Sequence, residues 1–467
     1  MISLKIICIV FVAILGTAEV SRAAATNRYV ATNSPASAWP YDSWAKAATN
    51  IKHAVDAASS NNAGDMVIIS NGVYYLTEQI AVSNVIVTNY SGDRRLVIIN
   101  GNWPTTTNRC FYLNHSNAVI SGLTITNGCA TNNLSGSGGG VYVAKGWVHD
   151  SLITGCRSFV TTPSKGGGGI YVIGGTVTCS SAIGNMVDDC GIDNTTSSGG
   201  GGIYADSGTM VSNCIIGWNF STNGAFCGGL KMNGSVMVAN SQILSNYTTS
   251  SGGGVVMNNG NNFLYNSKIC GNTVSCENGI GGGILARSGG GGLTGDIIRD
   301  CLIIKNLQTV RWSVGGGIYY AYGIPIITSC TIVSNQATSS GGGLCCANAS
   351  GSKTNVSNCI IRDNIAGDLY DTTAGGLNKT SVMFSCVSDG TGFTIEGVVT
   401  NDPLFMSGPE GNYHLQKNSP CVNAGTNQSW MLGALDLDGH SRIDRFSGIV
   451  DMGFYEYLFQ GTMYSVP

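Results

Sequence analysis

A chain of 467 residues carries a net charge of only −3, with 10% charged and 43% hydrophobic residues, and with 67 glycines against 9 prolines. A nucleic-acid binder would gather its basic residues on one face, whereas the 23 lysines and arginines here are spread thinly. High glycine without high proline, and without a strict three-residue period, excludes collagen-like and proline-rich disordered chains, and the apolar content supports a packed core.

Residues 1–25 read as a secretory signal. Lys5 is the positive flank, Ile6–Leu15 the apolar run, and Ser21–Ala25 the small residues for cleavage. The run is too short to span a bilayer comfortably, so export followed by removal is expected, and no later segment is apolar enough to cross. Cys8 lies in this signal, which leaves 16 of the 17 cysteines in the mature chain. An even number in an exported chain suggests a disulfide framework, but the repeat described below argues against one.

Residues 43–60 place Ile51, Ala54, Val55 and Ala58 at the spacing of one helical face, which predicts a short amphipathic helix. The segments 64–76 and 80–90 read as strands. A helix at the start of a stack of strands covers an otherwise open end.

The chain then repeats itself. A small residue recurs as Gly122, Ser151, Ser180, Cys214, Ser241, Ser267, Cys301, Cys330, Cys359 and Cys386, with steps of 26 to 34 residues. Three positions before each stands an apolar residue, from Val119 and Val148 to Val356 and Met383. Two positions after it the residue is mostly isoleucine. Five positions after it come Asn127, Asn185, Asn219, Asn246, Asn272, Asn306, Asn335 and Asn364, with Cys156 interrupting the column. In phase with these, glycine tracts end at Gly140, Gly169, Gly202, Gly229, Gly254, Gly283, Gly317, Gly343 and Gly376, each followed by an aliphatic residue.

Such a period, built from short β-branched runs between glycine and asparagine, specifies a solenoid. The expectation is an all-β, right-handed parallel β-helix over residues 26–400, with about three short strands per turn stacked ~4.8 Å apart. The helix forms an N-terminal cap, and residues 401–467, which lack the repeat markers, form a C-terminal cap. Valine and isoleucine columns fill the core, and asparagines form an internal amide ladder. The cysteines of the small-residue column are then buried, small and unpaired, because stacked side chains point the same way and fit disulfide torsions badly. Cys345, one position outside Cys346, is expected at the surface and reactive.

Two positions after the glycine tracts stand Tyr142, Tyr171 and Tyr204 on consecutive turns. The intervening aliphatic faces inward, so the tyrosines face outward, either as a stabilising cross-strand stack or as an aromatic strip for sugar rings. Candidates for chemistry are few. Arg299 shares its offset with Tyr265 one turn below and with His149 four turns below that. Lys305 and Asp363 share another offset, two turns or roughly 10 Å apart. Asp188, Asp189 and Asp193 fall in a long insertion and are the candidate calcium ligands, with a solvated polar loop as the simpler reading. The stretch 436–442, DLDGHSR, lacks the later glutamate of a calcium loop and reads as a turn.

The segments Asn412–Gly425, Asp436–Arg442 and Asp451–Tyr457 resemble the C-terminal choice-of-anchor Q domain that ends certain secreted, pectate-lyase-like parallel β-helix proteins. The paired glycine-aliphatic and I-x-x-N repeats are also similar to those of bacterial polymorphic outer-membrane proteins, with isoleucine where phenylalanine is usual there. The resemblance implies a secreted or cell-surface protein associated with polysaccharide or cell-surface glycan. Because no complete acid, base and cation group is legible, the expected function is non-catalytic glycan or surface binding of an adhesin-like kind. The alternative is a polysaccharide lyase or glycoside hydrolase acting on acidic polysaccharide. A monomer is expected, with no cofactor apart from the candidate calcium, no nucleic-acid partner and no transmembrane segment in the mature chain.

Overall fold

The computed structural model describes residues 26–60, 64–131, 136–160, 166–189, 198–287, 294–347, 354–372, 380–388, 394–406 and 411–458. The signal segment 1–25 lies outside them. Among the described residues no helix is long and apolar enough to cross a membrane.

The chain winds into a right-handed parallel β-helix of about ten turns. One turn shows the pattern. The first strand is Ile203–Asp206, the second Met210–Ser212 and the third Ile215–Gly217. Every one of these pairs in parallel with its counterpart on the turns before and after. Beyond the expected three or so strands, seven turns among the described residues carry a fourth short strand, such as Phe220–Thr222, and these form a separate seven-stranded sheet. The segment before the regular repeats is already solenoid. Ile86–Asn89 continues the second-strand column into Phe111–Ser121, and Val97–Asn100 continues the third into Thr124–Thr126.

The interior follows from the sequence columns. Val148, Val177, Val211, Val238, Leu264, Ile298, Ile327 and Val356 are buried in one continuous core with Ile153, Ile216, Ile243, Ile269, Ile303, Ile332 and Ile361. The helix Ile51–Ser59 buries Ile51, Ala54, Val55 and Ala58 in the same core, and the Asn50 side chain caps it by accepting the Lys52 N–H at 2.8 Å. The amide ladder runs unbroken from Asn185 to Asn364. Each Nδ2 donates to the next Oδ1 at 2.9–3.1 Å, and the last donates to Asp368. Each Oδ1 also accepts the backbone N–H of the residue below it. The ladder therefore satisfies buried backbone as well as itself.

The two ends of the small-residue column shift by one position. Val148 pairs with Ile120 and Leu152 with Thr124, so Leu123 and not Gly122 occupies the first rung, and Asn127 falls outside the amide ladder. At the other end Val356 pairs with Val382 and Ile360 with Cys386, so Ser385 and not Cys386 continues the column. Cys301, Cys330 and Cys359 are buried within it, as expected.

The C-terminal segment, expected as a cap, lies elsewhere than at the end of the stack alone. It folds back down the outer face of the third strands. In that column Ile215 is 36% exposed, but Leu302 falls to 4% and Ile360 to 1% because Phe454, Leu415 and Met452 lie over them. Polar contacts fix the register of this return. Asn358 bonds both backbone groups of Thr426, Gln428 donates to Ser357, and Thr331 accepts the Phe454 N–H at 3.0 Å.

Candidate functional site

The three tyrosines do stack, with ring centroids 4.9 Å and 5.2 Å apart in edge-to-face geometry, and Tyr112 extends the stack by one turn. They do not form an open strip. Tyr171 is 6% and Tyr204 2% exposed, and only Tyr112 and Tyr142 are half-buried. The cause is the glycine tract itself. Gly138, Gly167 and Gly200 take φ of +66°, +77° and +71° and curl the chain back over the outer side of the strand. A Cβ on Gly200 would stand 2.3 Å from the Ile203 carbonyl oxygen. Arg109 lies over Tyr142, and the buried Lys231 lies over Tyr204 while donating to the Ser198 carbonyl at 2.9 Å. Cys345 shares this outward column and is likewise fully buried, so it is not the surface thiol expected. The exposed cysteine among the described residues is Cys179.

Of the calcium candidates, Asp193 lies outside the described residues, as does the Asp189 side chain. Asp188, on the strand Met186–Asp189, accepts a hydrogen bond from Asn223 at 2.6 Å. Among the described residues no group of three metal-ligating side chains gathers. His149 bonds the Thr178 hydroxyl at 2.9 Å beside Trp147. The stretch 436–442 is a turn, as read, in which the Asp436 side chain accepts the N–H groups of Asp438 and His440.

A groove with a built wall lies where the returning C-terminal segment leaves the lower turns uncovered. A pocket of about 290 Å³ is lined by Asn240, Ser241, Gln242, Asn266, Lys268, Leu302, Leu437 and Tyr455. Its floor is the solenoid. Gln242, Lys268 and Leu302 are consecutive rungs of the third-strand column, and Asn240 and Asn266 are consecutive corner residues, the Asn266 Nδ2 donating a hydrogen bond to the Asn240 Oδ1 at 2.8 Å. Its wall is the C-terminal segment. Tyr455 stacks on His414 at 3.8 Å, and His414 is held by Asp438 at 2.5 Å. Burial pushes the Tyr455 hydroxyl up to about 12, so it is a protonated donor at neutral pH.

Beside the groove the Arg299 guanidinium is clasped between the rings of Tyr265 and Trp430, 4.2 Å from each. The sequence places Arg299 over Tyr265, and the structure brings Trp430 to its other side. Lys268 has no acidic partner among the described residues, and it is half-buried. None of the marker columns in the sequence includes it. Strict alternation from the buried Ser267 and Ile269 would have marked it as the outward cation of its column.

No protein-family model matches the chain, and no curated protein matches it. Among solved structures it is similar to pectate lyase Pel9A, at 13% identity and a TM-score of 0.44, over 93% of this chain and 97% of that one. It is similar to the PL6 family alginate lyase AlyGC at 12% identity and a TM-score of 0.45, over 88% of this chain and 58% of that one. A mannuronic acid-specific polysaccharide family 6 lyase from human gut microbiota matches at 11% identity and a TM-score of 0.35, over 71% and 86%. These likenesses concern the fold.

Proposed function

We propose that this chain is an exported β-helix protein that binds an acidic polysaccharide in the groove between the Lys268 face and the C-terminal segment. The observation that carries the reading is the half-buried Lys268 in a pocket walled by Tyr455 and the amides of Asn240, Asn266 and Gln242. A uronate unit needs a cation for its carboxylate, amides for its hydroxyls and an apolar surface for its C–H face, and this pocket supplies all three. The signal-like residues 1–25 support export, and the choice-of-anchor resemblance of residues 412–457 supports a place at the cell surface. The protein acts as a monomer.

A second reading is elimination chemistry on the same polysaccharide. It is favoured by one feature, a cation and a hydroxyl, Lys268 and Tyr455, lining the same pocket. A protonated tyrosine is a poor base for a sugar C–H proton, so binding without turnover remains the preferred reading.

Both are tested by affinity electrophoresis against a polyuronate panel with a neutral glucan as control, alongside absorbance of unsaturated uronate products. Lys268→Ala is expected to weaken retention by polyuronate about tenfold, which is the scale of one charge-assisted hydrogen bond. Unchanged retention in a folded Lys268→Ala protein overturns the binding reading. Accumulation of unsaturated product by the wild type, lost in Tyr455→Phe, would replace it with the lyase reading.

A further inference from the structure

The shifted register at Ser385 has a chemical result. The inward position belongs to Ser385, whose hydroxyl accepts the Cys359 N–H at 3.0 Å. Cys386 therefore faces outward from the third strand beside Ile360, on the face that the C-terminal segment covers. Cys421 approaches that face from the segment. Both cysteines are fully buried in one cluster with Ile360, Leu415 and Met452, where the Cys386 thiol donates to the Asn401 carbonyl at 3.3 Å. The backbones on both sides are anchored, since Cys386 donates its N–H to the Cys359 carbonyl at 2.8 Å and the Cys421 carbonyl accepts from Met452 at 3.0 Å.

We propose that Cys386 and Cys421 are a disulfide-forming pair that fastens the C-terminal segment to the strand Cys386–Val387 near the end of the solenoid. The interior column of Cys301, Cys330 and Cys359 is different. There the side chains of successive turns project in parallel, and their Cβ atoms keep the strand spacing of about 4.8 Å, beyond the 3.5–4.5 Å that a disulfide spans. Cys386 and Cys421 come from two elements packed face to face, the arrangement in which Cβ vectors converge.

The oxidant is a small-molecule or protein disulfide, such as oxidised glutathione. The Cys386 thiolate attacks one of its sulfurs, the oxidant's S–S bond breaks, and one thiol leaves. Cys421 then gives up its proton and attacks the mixed disulfide, releasing the second thiol. The protein loses two protons and two electrons, and the oxidant gains them as it becomes two thiols. Both sulfurs are shut away from solvent in the folded chain, so the exchange takes place as the segment docks.

The test is to refold the full chain in a glutathione redox buffer, alkylate the remaining thiols, and map peptides without reduction. The expected result is a Cys386–Cys421 linked pair, with Cys301, Cys330 and Cys359 alkylated. Residues 401–458 of the oxidised protein should resist limited proteolysis several-fold better than after reduction, and Cys421→Ser should abolish that difference. Recovery of both cysteines as alkylated thiols in natively folded protein, or linkage of either one to another cysteine, overturns the proposal. The mapping is done on the wild type and does not depend on any variant folding.

Discussion

Cysteine and serine exchange freely in the small-residue column for a reason beyond size. Ser241 and Ser267 donate to the carbonyl two residues back at 2.8 Å and 2.6 Å, and Cys301, Cys330 and Cys359 donate to the equivalent carbonyls at 3.2 Å. The same atoms accept a backbone N–H from the turn below, as Ser267 does from Ser241 and Cys359 does from Cys330. The column is thus a second polar ladder, parallel to the asparagines. Cys359→Ser is expected to stay within about 1 kcal/mol of the wild type, because both bonds survive. Cys359→Ala leaves the buried Cys330 N–H without its acceptor and should cost about 1–3 kcal/mol. Urea unfolding of the two variants, followed by far-ultraviolet circular dichroism, separates a polar role from simple packing. Equal stability of the serine and alanine forms would show that volume alone matters.

At the scale of the element, the glycine tracts set which side of each first strand is solvated. Gly200 combines a left-handed backbone with a blocked Cβ, whereas Gly208, at φ +78°, has open space around the same position. Left-handed backbone alone costs a substituted residue about 1–2 kcal/mol. Gly208→Ala is expected to lose roughly that much. Gly200→Ala adds the collision with the Ile203 carbonyl and must open the turn over Tyr204, so it should lose clearly more and raise the fluorescence quenching of that tyrosine stack by solvent additives. Thermal melts of the pair check the ordering. A Gly200→Ala protein as stable as Gly208→Ala would mean that the tract covers the tyrosines loosely.

For the whole molecule, the decisive contact is a buried charge cluster between solenoid and C-terminal segment. Arg442, fully buried, reaches Asp300 on the solenoid at 3.5 Å and Glu456 at 2.9 Å, with Asp436 and Asp451 nearby. Arg299 also approaches Asp300, at 3.6 Å, but two guanidiniums cannot neutralise four carboxylates in a dry site. Burial outweighs Arg442 and pushes Asp300 and Asp451 up to about 6 and Glu456 up to about 9. These folded values lie above the unfolded ones, so the native state binds more protons. The contribution is complete below about pH 4 and is lost as the pH rises through 6 for the two aspartates and towards 9 for Glu456. Docking of the segment should therefore weaken with rising pH. The Trp430 signal, reporting its contact with Arg299, is the observable. Glu456→Gln, which mimics the protonated acid, should flatten the dependence between pH 6 and 9, and an unaltered slope would place the titration elsewhere.

The solenoid, its parallel strands, the asparagine ladder and the helix Ile51–Ser59 were all legible in the order of residues, because each is a local pattern multiplied by translation along one axis. Once a turn repeats, a column in sequence is a column in space. What the order of residues could not determine is whatever breaks that translation. The outward tyrosines are buried because the glycine turns curl over them, a matter of backbone path that alternation does not encode. The one-residue shifts at Leu123 and Ser385 fall where the regular marker columns begin and end, and the register there is set by strand pairing that the markers do not carry. The groove at Lys268, the clasp of Trp430 on Arg299 and the meeting of Cys386 with Cys421 all depend on where a non-repeating segment lies down on the repeat. That position is chosen by contacts between residues far apart in the chain, and no periodicity carries them.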